Sequence, residues 1–153
     1  MGNNSVTSIG GVVSWTSLSD GRFKRDISET VPGLDFISKL RPVTYHMDMD
    51  KMASFLKTPD SLRLKDAEAV KAKMLQSGFI AQEVEQAAKE LGYNFSGVDA
   101  PKNEDDYYGL RYAEFVVPLV KAVQEQQQMI EELKTVNKNL QKQIDELKTE
   151  IKK

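Results

Sequence analysis

The sequence predicts an α+β chain in which a small mixed domain of short strands and helices is mounted on one long C-terminal helix. Three observations predict it. Apolar residues from Val116 to Ile151 recur at alternating steps of three and four, and a stripe sustained over several heptads keeps one seam facing a partner helix. Residues 19–115 alternate brief β-branched or aromatic runs with short helical periods, punctuated by Pro and Gly. A length of 153 residues leaves room for one domain beside that helix.

The C-terminal seam has a definite register. Val116, Val123, Ile130, Asn137, Ile144 and Ile151 take the a positions, and Leu119, Gln126, Leu133, Leu140 and Leu147 the d positions. A helix over this span is about 54 Å long at ~1.5 Å per residue. The stripe is too narrow and too regular to be one face of a small globular core, although an amphipathic helix packed on its own domain is the simpler alternative. Gln126 and Asn137 interrupt the seam, and polar seam residues fix register or strand number at a cost in stability. Ile at a with Leu at d favours two strands, whereas apolar Met129 and Val136 at g widen the buried stripe and favour more. The pattern leaves two and three strands open, with three ahead.

Composition narrows the functional classes. Without cysteine there is no disulfide framework and no thiolate chemistry. A net charge of −2, from 21 basic and 23 acidic residues, gives no electrostatic footprint for nucleic acid. No apolar run approaches the ~18 residues that a membrane span needs. Met1-Gly2-Asn3-Asn4 has neither a basic nor an apolar leader region, so no signal peptide is predicted.

Residues 1–18 alternate polar and β-branched or aromatic types around Gly10-Gly11, the pattern of short strands joined by a hairpin or bend. They cannot bury a core of their own, and read as the end of a larger upstream β-rich region. Ser19-Asp20-Gly21 then supplies turn chemistry. Ser19 stands five residues before Lys24, a spacing that allows a Ser/Lys dyad in which neutral lysine takes the hydroxyl proton. Lysine serves as a base near neutral pH only when desolvated or placed near other cations. Arg22 and Arg25 are candidates for that effect. With eleven serines and sixteen lysines in the chain, the spacing alone has little weight.

Pro32 suits a helix start, with Leu34, Ile37 and Leu40 on one face. Arg41-Pro42 stops this helix, and Val43-Thr44-Tyr45-His46 reads as a strand. His46, the only histidine, has no partners at metal spacing and reads as a structural or surface residue. Asp48 and Asp50 lack the glycine and distal glutamate of a calcium loop and read as solvated charges. Two helical stretches follow, split by Thr58-Pro59-Asp60, the second with Leu64, Val70 and Leu75 inward. A strand-like entry at Gly78 leads into a helix to Leu91 with Ala81, Val84, Ala87, Ala88 and Leu91 inward. Gln82 and Glu83 lie beside that face as surface residues, or near the dyad. Residues 92–107 form a polar loop, Tyr108–Tyr112 a brief strand, and Pro118 begins or kinks the long helix.

Four blocks together carry a resemblance: Ser19-Asp20-x-x-x-Lys24-x-x-Ile27; Leu40-x-Pro42-Val43-x-Tyr45; Gly78-Phe79-Ile80-Ala81-Gln82-Glu83-Val84; and the run from Tyr112 to Val123. In this order, over roughly residues 19–135, they resemble the C-terminal intramolecular chaperone domain of phage endosialidases and other tailspikes. This self-cleaving peptidase family also includes a domain in myelin regulatory factor. The resemblance implies a parallel trimeric coiled coil, with Leu119, Val123, Gln126, Ile130, Leu133, Asn137, Leu140, Ile144, Leu147 and Ile151 on the trimer seam. It implies 1–18 as the end of an upstream β-rich fibre, 19–115 as the chaperone/peptidase domain with 47–77 as a protruding insertion, and 116–153 as the trimerisation helix. It further implies a homotrimer that registers the fibre of its own polypeptide and then cuts the Leu18–Ser19 bond. Ser19 is the expected nucleophile, Lys24 the general base, and Asp20, Arg22 and Arg25 supporting residues. No cofactor, metal, nucleic acid or membrane is expected. The location implied is a phage virion tail fibre assembled in the host cytoplasm, or a bacterial cell surface if the chain is host-encoded. Two rivals stand beside this reading: a trimerisation cap that does not cleave, and a receptor-binding module that uses 47–77.

Overall fold

The computed structural model describes residues 12–13 and 16–152. In chain order they give α1 (Leu34–Ile37), β1 (Val43–Tyr45), α2 (Met49–Phe55), α3 (Lys65–Ala72), β2 (Gln76–Gly78), α4 (Ala81–Glu90), β3 (Val98–Asp99), β4 (Gly109–Leu110) and α5 (Val116–Ile151). Most of the strand pair expected around Gly10-Gly11 lies outside the described residues. Val12 and Val13 form an exposed bend, and residues 16–18 have no regular structure. The described residues fall into two units, one of residues up to Thr30, Arg41–Ile80 and Ala100–Tyr108, the other of Val31–Leu40, Ala81–Asp99 and residues from Gly109 on.

In the first unit β1 pairs antiparallel with β2, setting Val43 against Gly78 and Tyr45 against Gln76. Asp48 caps α2, its carboxylate accepting the Lys51 N–H at 2.9 Å, and Met49 and Ala53 are buried beneath. The break after α2 comes at Lys57, with φ of 52°, where the Thr58 N–H returns to the Ala53 carbonyl at 2.9 Å. Phe55 meets Tyr107 edge to face, ring centroids 6.5 Å apart, and Lys57 pairs with Asp105 at 2.7 Å. Asp50 is solvated as expected, but it also holds Arg63 at 2.7 Å.

The expected inward face of the second helical stretch needs correction. The helix spans only Lys65–Ala72, and Leu64, Val70 and Leu75 are exposed. Steps of six and five residues do not return to one helix face, and Leu75 lies beyond the helix end. The buried residue of α3 is Glu68, at 3 % exposure, because the Arg63 guanidinium meets it at 2.6 Å and compensates the desolvated charge.

The second unit is built on aromatic rings. Phe36 has no exposed surface; its ring centroid lies 4.9 Å from that of Phe95 and 5.4 Å from that of Tyr93, and Phe95 in turn lies 4.8 Å from Phe115. Val84, Ala87 and Ala88 bury the inner face of α4 as expected, whereas Ala81 and Leu91 are half-buried. Gly92, with φ of 61°, ends α4 in the left-handed conformation, and the Tyr93 N–H returns to the Ala88 carbonyl. β3 pairs with β4, Val98 opposite Leu110.

α1 begins at Leu34, not Pro32, and its fully buried residue is Phe36, which lies off the Leu34/Ile37/Leu40 face. It packs on α5 through Gly33. A Cβ at position 33 would run into the Glu125 carboxylate and come within 2.7 Å of the Ala122 backbone nitrogen. The same carboxylate accepts the Leu34 N–H at 2.7 Å, satisfying a donor at the start of α1. α5 follows a 3-10 turn at Tyr112–Phe115 and runs 36 residues. Pro118 is its third residue, where a missing N–H costs nothing, and it is buried.

Candidate functional site

The segment that opens the first unit folds locally. Gly21–Phe23 forms one turn of 3-10 helix, and beyond it Asp26 adopts a left-handed conformation with φ of 51°. The turn brings the two expected catalytic side chains together: the Lys24 ammonium donates to the Ser19 hydroxyl, Nζ to Oγ 2.9 Å. Asp20 and Arg22 form a separate pair, Nη2 to Oδ2 2.6 Å. The guanidinium, and then the Arg22 backbone N–H, hold the Asp20 carboxyl below its usual range, and the carboxylate raises the guanidinium in return. Arg25 is exposed one residue after Lys24.

Residues 16–30 are exposed throughout except Asp20, which is half-buried. Leu18 is 81 %, Phe23 69 % and Ile27 78 % exposed. The scissile candidate Leu18–Ser19 is therefore accessible, and among the described residues Lys24 is exposed.

The predicted seam residues fall on one long helix. Leu119, Val123, Gln126, Ile130, Leu133, Asn137, Leu140, Ile144, Leu147 and Ile151 are all on α5, and all are exposed in the single chain. From Gln126 to Lys152 every residue is exposed. Gln82 and Glu83 are exposed on α4. An open groove of about 280 Å³ lies beside Arg63, lined by Met47, Asp50 and Glu68 among others, and Arg63 there pairs with both Asp50 and Glu68. Among the described residues no cluster of three His, Asp or Glu could hold a metal ion. No described helix is long and apolar enough to cross a membrane.

Residues 19–93 match the family described as chaperone of endosialidase, and the match begins on Ser19. This segment is a chaperone-of-endosialidase domain. The chaperone domain thus contains both members of the Ser19–Lys24 pair, β1, β2 and α1 to α4. Membership supports an intramolecular chaperone role and a phage-tail setting. It implies association with an upstream endosialidase-like protein. Neither the curated proteins nor the solved structures include a match to the chain.

Sequence reasoning missed three features that shape the domain: the buried Arg63–Glu68 pair, the Glu125 carboxylate on the Leu34 N–H, and the Asp20 cap on the turn. The last had a signal, since Ser-Asp-Gly followed by a basic residue is turn and capping chemistry. The first two join residues on different elements and have no local signature.

Proposed function

We propose that this chain trimerises through α5, holds three copies of an upstream β-rich fibre in register, and then releases the fibre by cutting its own Leu18–Ser19 bond. The observation that carries the cleavage is the 2.9 Å contact between Lys24 Nζ and Ser19 Oγ, at the first residue of the family match. The trimer rests on the apolar seam of α5 and its exposed length. Pairing strands from three chains is slow and prone to misregister. A coiled coil raises the effective concentration of the ends it ties together.

The chemistry follows from the pair. Neutral Lys24 takes the Ser19 hydroxyl proton as Oγ attacks the carbonyl carbon of Leu18. The tetrahedral intermediate collapses with loss of the Leu18 carbonyl–Ser19 nitrogen bond, and the Lys24 ammonium returns the proton to the departing amine. The ester now joining the Leu18 acyl group to Ser19 Oγ is hydrolysed by water. The products are a Leu18 carboxylate and a chain beginning with Ser19. Lys24 acts as base only once its ammonium is desolvated, and in this reading neighbouring chains of the trimer cover the exposed segment around Leu18, Phe23 and Ile27. Cutting then follows assembly, and loss of the clamp makes fibre unfolding kinetically one-way.

The test is expression of the native polypeptide that carries the sequence upstream of Ser19, with intact mass and N-terminal sequence as readouts. A fragment beginning at Ser19 is expected. It should vanish in Ser19→Ala and fall to a trace in Lys24→Ala. Lys24→Arg should not restore it, because guanidinium stays protonated. The rate should rise with pH as the neutral amine appears. Identical bands with and without Ser19 leave a trimerising cap as the reading.

A further inference from the structure

Ser19 and Lys24 are five residues apart. In extended chain their Cα atoms would be roughly 17 Å apart at ~3.3–3.6 Å per residue, farther than a lysine side chain extends. The 3-10 turn between them makes the contact possible. Two backbone bonds close it, from the Phe23 N–H to the Asp20 carbonyl and from the Lys24 N–H to the Gly21 carbonyl, both 3.1 Å. An isolated turn in water with only these bonds is marginal, since each exchanges for a bond to water at little net gain. Asp20 adds a third tie. Its Oδ1 accepts the Arg22 N–H at 2.9 Å, the capping geometry of a helix start. Arg22 grips the same carboxylate from the other side, with Nε at 3.1 and 3.0 Å from the two oxygens and Nη2 at 2.6 Å from Oδ2.

We propose that Asp20 is a positioning residue for the self-cleavage: its carboxylate caps the Gly21–Phe23 turn and thereby holds Ser19 Oγ and Lys24 Nζ at hydrogen-bond distance, with Arg22 clamping the carboxylate rather than acting on the dyad. The inference rests on the cleavage reading above. It also changes the part expected of Arg22. A guanidinium held on a carboxylate has its charge offset locally, and its hydrogen bonds go to Asp20. Charge-assisted hydrogen bonds of this kind are stronger than neutral ones, which suits a turn that has no core beneath it.

The pH behaviour separates the two acidic and basic groups. The Asp20 carboxyl lies below the usual carboxylate range, chiefly through the Arg22 guanidinium and secondly through the Arg22 N–H. A depressed carboxyl contributes its tie above the ordinary range and loses it only as pH falls through the lowered value. The cap is therefore fully in place wherever lysine chemistry operates, and Asp20 does not titrate across the limb on which the rate rises.

The native polypeptide is synthesised in a cell-free system at a series of pH values, and appearance of the fragment beginning at Ser19 is followed in time. Asp20→Ala should slow cutting by about ten- to a hundredfold, the cost of displacing a reacting group by about an ångström, with the midpoint of the alkaline limb unmoved. Asp20→Asn keeps an oxygen that accepts the Arg22 N–H and should recover most of the rate. Wild-type cutting by Asp20→Ala, or Asparagine no better than alanine, overturns the proposal. So does a shifted midpoint, which would mean that Asp20 acts on the charge of Lys24. A second measurement stands apart from cutting. In uncleaved Ser19→Ala protein, the Arg22 amide resonance should follow the acid titration of Asp20, at a midpoint below that of an ordinary aspartate. An amide that does not move removes the cap, and the proposal with it, whatever the cleavage result. An amide that titrates as expected, in a polypeptide whose parent never yields a Ser19 fragment, overturns the cleavage reading and the positioning role together.

Discussion

The two ends of α5 are one unbroken helix under opposite conditions. Near its start Pro118 and Ala122 are buried, and Glu125 reaches the Leu34 N–H of α1. From Gln126 onward every described residue is exposed, including Ile130, Leu133, Leu140, Ile144 and Leu147. The first part is held by its own chain through contacts distant in sequence. The second has no tertiary support within the chain, and a lone helix in water gains little from propensity alone. The difference teaches that the proposed heptad seam and the tertiary contact need not share residues, since Ala122 and Glu125 lie off the predicted a and d positions that carry Val123 and Gln126.

The sharpest way to break this comparison is at the distal end. Ile130→Asp should dissociate the assembly to the 17.2 kDa of a single chain in light scattering, since each copy would bring an unpaired charge to one axis, and it should leave the aromatic unit folded. An intact oligomer would mean that the assigned register is wrong, and a parent that weighs two chains would replace three strands by two. The converse change is at the proximal end. Phe36→Ala should cost about 3–5 kcal/mol in denaturant unfolding of the chaperone domain, the usual penalty for emptying a buried phenylalanine site. Oligomer mass should be unchanged, and loss of the oligomer would show that the ends are not independent. The smallest effect sharpens the comparison. Asn137→Ile should raise the melting temperature of the distal helix by a few degrees, because a polar seam residue costs stability, and leave the Phe36 core unaffected. Circular dichroism with sedimentation resolves both outcomes.

How much of this was legible depended on whether the signal was local. The long C-terminal helix was legible because its apolar period can be read without knowing what it packs on, and Pro118 near its start has consequences confined to one turn. The Ser19–Lys24 pair drew its weight from the four-block resemblance, since a spacing of five residues across a turn means little by itself. Phe36 was not legible, because a helix of four residues has no period to read, and its partners Tyr93, Phe95 and Phe115 are distant in sequence. Glu68 was not legible either, because a charged residue counts against burial until its partner is known, and Arg63 precedes the helix that presents Glu68. Gly33 carries no sign of its contact, since the requirement is set by a backbone atom of Ala122.

The bond from the Leu34 amide to Glu125 joins residues 91 positions apart. A ribosome adds roughly 5–20 residues per second, so Leu34 is added roughly 5–18 seconds before its acceptor exists. Phe115, Pro118 and Ala122 arrive nearly as late. During synthesis Phe36 can meet Tyr93 and Phe95 first, but α1 has no helix surface to dock on until α5 begins to emerge. A chain broken off before that helix lacks the surface on which α1 docks, so docking of α1 reports that translation has reached the final helix.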